Sequence, residues 1–257
     1  MRRLSAFLDS PTPLAFAHRG GAADGLENSL AAFERCVRLG YRYLETDVHT
    51  TADGVALAFH DADLDRVTDR PGRVAELPYR AVATARIGGR EPIPRLDDLL
   101  AAWPEVKFNL DVKAVAAAEP LAEAVRRTGT RDRVCLASFS AARLALVKRL
   151  VGPGVCTSLP TRAVAALRLA SYSPRALARV RPAGDCVQIP VTFRGRSLCD
   201  PRLVAAAHAR GLQVHVWTLD TEAEIDAALA LGVDGVMTDQ PETLKAVLTR
   251  RGCWTGG

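Results

Sequence analysis

Four short stretches combine residue types that could do chemistry together: His18-Arg19-Gly20-Gly21, Glu45-Thr46-Asp47, His60-Asp61 and Asp111-Val112-Lys113. In extended backbone, side chains two positions apart share a face, so Glu45 aligns with Asp47, and Asp111 with Lys113. Three carboxylates brought together (Glu45, Asp47 and Asp111) would repel and raise one another's pKa unless a cation joined them. All three offer only oxygen, which suits a hard divalent ion such as Mg2+ or Ca2+. Arg19 and Lys113 supply positive charge suited to a phosphate, which Arg can grip in bidentate fashion. His18 and His60 could act as an acid/base pair near neutral pH. A hard metal, two cations and two histidines together point to phosphoester hydrolysis. Each piece has a plainer reading. A strand-end His is more often structural, Glu45 and Asp47 could pair with surface Arg, and Trp217 on a strand is more often core. It is the conjunction at several element ends that favours a site. His49, His208 and His215 show no partner at matching spacing and read as structural.

Such groups need a scaffold to position them, and the apolar pattern supplies one. Strand-like runs at residues 14–18, 43–48, 106–113, 133–139, 155–159, 186–190, 213–219 and 235–238 alternate with longer helical runs. Helix signals include Asn28 as a cap with Gly40 as a stop, Ser140 as a cap, Asp200-Pro201 as a start, and a Thr221/Glu224 capping box. A further run at 55–60 follows its predecessor after only residues 50–54, too few for a parallel crossover. Ala52-Asp53-Gly54 must therefore turn an antiparallel hairpin. Residues 61–95 are polar and rich in Gly, Pro and Arg, and read as an ordered insertion. With the hairpin strand set aside, eight strands each followed by a helix predict an α/β protein of TIM (β/α)8 barrel type. It carries a small insertion, about residues 54–95, that follows a β-hairpin after strand 2. An open doubly wound sheet is the alternative, but no GxGxxG turn opens a helix. In such barrels catalytic groups sit at the C-terminal strand ends, where the stretches above fall.

Composition narrows the class further. The 257 residues, 48% hydrophobic and 25% charged, exclude a disordered or fibrous chain and suit a single domain over 1–257. No apolar run is long enough to span a bilayer, so no transmembrane segment is expected. The net charge of +5 invites a nucleic-acid reading, but only four of the 34 basic residues are Lys and the Arg are scattered. A solvated surface is the simpler account, and no nucleic-acid partner is expected. Six cysteines lie far apart without a CxxC pair, so neither a disulfide framework nor a zinc site is expected. The basic start Met1-Arg2-Arg3-Leu4 runs into Asp9, Pro11 and Pro13, which argues against a signal peptide and for a cytoplasmic protein.

The chain resembles the glycerophosphodiester phosphodiesterase family. The matching stretches are His18-Arg19-Gly20, Glu27-Asn28-Ser29, Glu45-Thr46-Asp47-Val48, Asp53-Gly54 running to His60-Asp61, Leu64-Asp65-Arg66-Val67-Thr68, Ile93-Pro94-Arg95-Leu96, Asp111-Val112-Lys113 and Asp234-Gly235-Val236-Met237-Thr238-Asp239. They cover about residues 14–250 in order and spacing. The resemblance implies a TIM barrel, a divalent metal, and hydrolysis of a small-molecule glycerophosphodiester to an alcohol and sn-glycerol 3-phosphate. By matching position it makes His18 and His60 the acid/base pair and Glu45, Asp47 and Asp111 the metal ligands. Arg19 and Lys113 become phosphate contacts and Trp217 a pocket wall. The chain departs from the family pattern in Asp111 for a usual Glu, Ser29 for a usual Thr, and Leu26 for a frequent Pro. Asp111 is one methylene shorter, which leaves the metal less defined than the fold. The runner-up activity is a phospholipase D-like enzyme acting on lysophospholipids, with Leu64, Phe139 and Phe193 lining a channel for the acyl chain. A barrel that binds phosphate esters without turnover is the third reading, and the two histidines argue against it.

Overall fold

Parallel strands covered on both faces need a crossover helix between neighbours, and the chain supplies these in order. The computed structural model describes residues 5–255. Met1-Arg2-Arg3-Leu4, on which the expectation of no signal peptide rests, lies outside the described residues. The barrel strands are Leu14–His18, Tyr43–Thr50, Lys107–Val112, Val134–Ala137, Cys156–Thr157, Cys186–Pro190, Gln213–Trp217 and Gly235–Thr238. They are called strands one to eight below. Consecutive strands pair in parallel from one to five and from six to eight, and strand eight pairs with strand one. A bridge between Ser158 and Cys186 joins the fifth and sixth strands and closes the (β/α)8 barrel.

Alternation along the strands sorts the side chains between two cores. Leu44, Phe108, Leu110, Val112, Leu136 and Val214 belong to the large buried cluster shared with the helices. Phe16, Tyr43, Cys135, Cys156, Cys186 and Met237 form a separate cluster inside the barrel. Each large apolar side chain so buried contributes roughly 1.5–3 kcal/mol. Register then stacks the polar groups: His18 lies opposite Glu45, Glu45 opposite Asn109, and Asp47 opposite Asp111.

The helices follow the expected order: Leu30–Arg38, Ala118–Thr128, Ala141–Val151, Thr161–Ala170 with Pro174–Arg179, Pro201–His208, Glu222–Ala230 and Pro241–Arg250. Ser140, Asp200 and the Thr221/Glu224 box cap their helices as expected. Asn28 does not cap its helix. Ser29 does, accepting from the Ala32 N–H, while Asn28 sits at φ 62° and accepts from the Thr46 hydroxyl at 2.6 Å. The second unit is completed by a helix without a counterpart in the sequence reading, Leu96–Ala102, whose cap position Arg95 makes no side-chain capping bond.

The hairpin strand Ala56–Ala58 pairs antiparallel with strand two, Val48 opposite Ala58 and Thr50 opposite Ala56. Beyond it the insertion folds around its own small core of Leu57, Phe59, Leu64, Val74, Val82 and Ile87. Leu64 is 1% exposed there, so it is not available to line a channel. Among the described residues, no helix is long and apolar enough to cross a membrane.

Candidate active site

The turn after strand one is built by backbone geometry as much as by side chains. Arg19 adopts φ 53°, a conformation rare outside glycine, and Gly20 follows at φ +78°. A Cβ on Gly20 would come within 3.0 Å of the Phe33 backbone nitrogen, so the close approach of this turn to the first helix requires glycine. The Arg19 N–H donates to the Glu45 carbonyl at 3.0 Å and approaches Glu45 Oε2 at 3.2 Å, which locks the turn onto strand two.

Around that turn the structure gathers His18, Arg19, Glu45, Asp47, Asp111 and Lys113 at one end of the barrel. The Lys113 ammonium lies 2.7 Å from Asp47 Oδ1 and 2.7 Å from Asp111 Oδ2, and Arg19 Nε lies 3.2 Å from Asp47 Oδ2. All three carboxylates are buried. Burial, and then the neighbouring Asp47 charge, push Glu45 up to about 8. Burial also raises Asp111, against the pull of Lys113. Lys113 itself is lowered by burial but raised further by the Asp47 and Asp111 charges, so it stays protonated. Asp47 Oδ2 and Asp111 Oδ1 are buried without a hydrogen-bond partner among the described residues. A crowded carboxylate set with two unsatisfied oxygens is suited to a hard cation.

Both histidines are backed by a carboxylate. His18 Nδ1 donates to Asp239 Oδ1 at 2.7 Å, and its Nε2 lies 3.7 Å from Glu45 Oε2. Burial lowers the His18 pKa, but the Glu45 and Asp239 carboxylates outweigh it and leave the group raised. His60 Nδ1 donates to Asp61 Oδ1 at 2.5 Å. Each pairing occupies Nδ1 and leaves Nε2 as the nitrogen not held by the backing carboxylate. The backbone of His60 is steadied by His49, whose Nε2–H donates to the His60 carbonyl at 3.0 Å.

A chain of ion pairs runs from the His60–Asp61 pair to Arg19, the residue next to His18. Asp61 accepts from Arg66 Nε at 2.5 Å, and Arg66 forks onto both Glu27 oxygens at 2.9 and 2.7 Å. Glu27 in turn accepts from Arg19 at 3.0 Å. Burial would raise Glu27, but the Arg66 and Arg19 guanidinium groups hold it below the usual carboxylate range. Glu27, Asp61, Arg66 and Asp239 thus position the site, and sequence reasoning had given none of them a role. Their signal lay in the stretches flanking the expected residues, Glu27-Asn28-Ser29 and Asp65-Arg66 among them.

Trp217, at the end of strand seven, packs edge-on to Phe139 with ring centroids 6.1 Å apart. The Lys113 ammonium sits 6.0 Å from the Phe139 centroid. Phe139 is 59% exposed, so this pair forms an open aromatic wall beside the cations. Phe193, also exposed, lies on a small hairpin, Thr192–Phe193 with Arg196–Ser197. His208 and His215 stay outside the site. His208 pairs with Asp234 at 2.8 Å, and His215 is fully buried against Phe16 and pushed by burial down to about 3.

Residues 18–243 match the model of the glycerophosphoryl diester phosphodiesterase family. A Mycobacterium tuberculosis protein, "Probable glycerophosphodiester phosphodiesterase 2", is 39% identical over 97% of this chain and 96% of its own. A Caldanaerobacter subterraneus glycerophosphodiester phosphodiesterase is 28% identical over 93% of this chain and 99% of its own. An Oleispira antarctica phosphodiesterase, solved in complex with the product sn-glycerol-3-phosphate, superposes with a TM-score of 0.77 at 21% identity. That match covers 93% of this chain and 97% of the other.

Proposed function

The chain belongs to the glycerophosphoryl diester phosphodiesterase family, and from that premise we propose that its barrel mouth hydrolyses glycerophosphodiesters to an alcohol and sn-glycerol 3-phosphate with a divalent ion, Mg2+ or Ca2+. The observation that carries this reading is two carboxylate-backed histidines beside three buried carboxylates and two cations.

Glu45, Asp47 and Asp111 would hold the ion, and the two unsatisfied oxygens of Asp47 and Asp111 support that set. When bound, the ion would polarise the phosphoryl group and offset its charge. Arg19 and Lys113 bind the non-bridging phosphate oxygens and orient the scissile bond. One histidine takes the proton of the attacking oxygen at its Nε2, and the other delivers a proton to the leaving alkoxide. Asp239 and Asp61 hold the two rings in the tautomer that this exchange needs. The Trp217–Phe139 wall packs against the carbon skeleton of the substrate.

Phosphorus NMR of a glycerophosphocholine digest tests the proposal. Wild-type protein with metal yields sn-glycerol 3-phosphate and choline, while His18→Ala and His60→Ala each lose about 10²–10⁴-fold in kcat. Wild-type rates in either variant would remove the assignment. Faster release of choline from the lysolipid than from glycerophosphocholine would favour the phospholipase D-like activity.

A further inference from the structure

At the opposite, sealed end of the barrel interior lies a second cluster of chemically able side chains. Cys135, Cys156 and Cys186 come from strands four, five and six, and their three sulfurs lie within 4.8 Å of one another. The Cys135 and Cys186 sulfurs are 4.0 Å apart. All three residues are at most 1% exposed, in the same inner cluster as Phe7, Phe16 and Tyr43. The register explains why they meet: Cys135 lies directly opposite Cys156, and Cys186 forms the bridge to Ser158 that closes the sheet.

We propose that this trio is a three-sulfur site for a single soft metal ion, with Cu(I) the preferred occupant. Sulfur-only donors select soft ions over the hard ions suited to the barrel mouth. A metal–sulfur bond of about 2.3 Å, as in thiolate sites, places sulfurs in a trigonal plane about 4.0 Å apart. The observed Cys135–Cys186 separation therefore needs almost no adjustment. No His, Asp or Glu joins the group among the described residues. Structural zinc almost always takes four ligands, so a three-coordinate ion fits better. Tyr43, in the same inner cluster, is two residues below Glu45 and four below Asp47 on strand two, which puts this layer roughly 7 Å deeper than the nearest of those carboxylates. The two sites can thus load separately.

The test is an anaerobic titration of the intact, reduced protein with Cu(I) against a chromophoric Cu(I) chelator, with a non-thiol reductant present. One equivalent should bind, X-ray absorption should report three sulfur neighbours, and protons should be released as the thiols ionise. Replacing Cys135, Cys156 and Cys186 together by Ala should weaken binding by more than about 100-fold, the upper end of what outer-shell changes cost. Cys36→Ala, Cys199→Ala and Cys253→Ala combined should leave it unchanged. Should the first triple variant fail to fold, Cys156→Ser alone, checked by circular dichroism, should show the same direction of loss. Absence of a one-equivalent complex in the wild-type protein, or equal binding in both variant sets, would overturn the proposal. So would tighter, four-coordinate binding of Zn2+.

Discussion

Lys113→Met should make the protein depend on a divalent ion for its stability. The Lys113 ammonium touches Asp47 and Asp111 at 2.7 Å each, and the side chains are only 19%, 2% and 12% exposed. Methionine keeps the length of the stem but removes the charge, leaving the buried Asp47 and Asp111 without the cation that bridges them. Breaking a buried ion pair on one side costs about 3–5 kcal/mol. Partial exposure of Lys113 and proton uptake by the already raised Asp111 reduce this to about 2–3 kcal/mol. For a chain of this size that is a fall in Tm of about 4–12 °C. A divalent ion at 100 times its Kd restores about 2.7 kcal/mol by binding only the folded state. The gain should be larger in the variant than in the wild type, because the ion there replaces a missing charge. Scanning calorimetry in chelator, then in a Mg2+ or Ca2+ series, reads both quantities. A variant Tm within about 1 °C of wild type in chelator, or equal stabilisation of both proteins by metal, would refute the electrostatic account.

Two further variants probe the positioning and the scaffold. Asp239→Asn keeps an acceptor for His18 Nδ1 but turns a charge-assisted bond into a neutral one. The loss of about 1 kcal/mol should lower kcat about 5–10-fold with KM little changed, and steady-state kinetics within twofold of wild type would contradict the role. Asp200→Ala removes both the cap of Pro201–His208 and the forked pair with Arg168, at 2.8 and 2.7 Å, and should cost about 1–2 kcal/mol at neutral pH. The Arg168 hydrogen bonds hold Asp200 below its ordinary range, so that stabilisation exists above the unfolded pKa and is lost as pH falls through the folded one. The urea midpoints of wild type and variant should therefore converge below about pH 4, and a gap that widened in acid would be the wrong sign.

Local geometry made much of the barrel and its carboxylates legible. Spacing alone put Glu45 with Asp47 and Asp111 with Lys113, because strand alternation acts over two residues and needs no tertiary knowledge. The Asp53-Gly54 hairpin was equally local, since five residues cannot form a crossover. What escaped depends on distant closure. Asp239 reaches His18 across 221 positions of sequence, and only the pairing of strands eight and one brings them together. The three inner cysteines lie far apart in sequence and become a cluster only when strands five and six meet. Leu96–Ala102 was missed because no capping side chain marks its start. Asn28 looked like a cap, yet its positive φ and its bond to Thr46 serve the turn that carries Arg19. Leu64 looked free to meet an acyl chain because its stretch is polar, but the insertion has a core of its own to fill.

The most direct measurement is the release of sn-glycerol 3-phosphate from glycerophosphocholine by chelator-stripped protein, before and after Mg2+ or Ca2+ is returned, beside Glu45→Gln. Turnover should vanish on stripping, return with one of the two ions, and stay absent in the variant at any metal concentration. Full turnover in chelator, or undiminished turnover by Glu45→Gln, would contradict a metal-assisted hydrolysis at the barrel mouth.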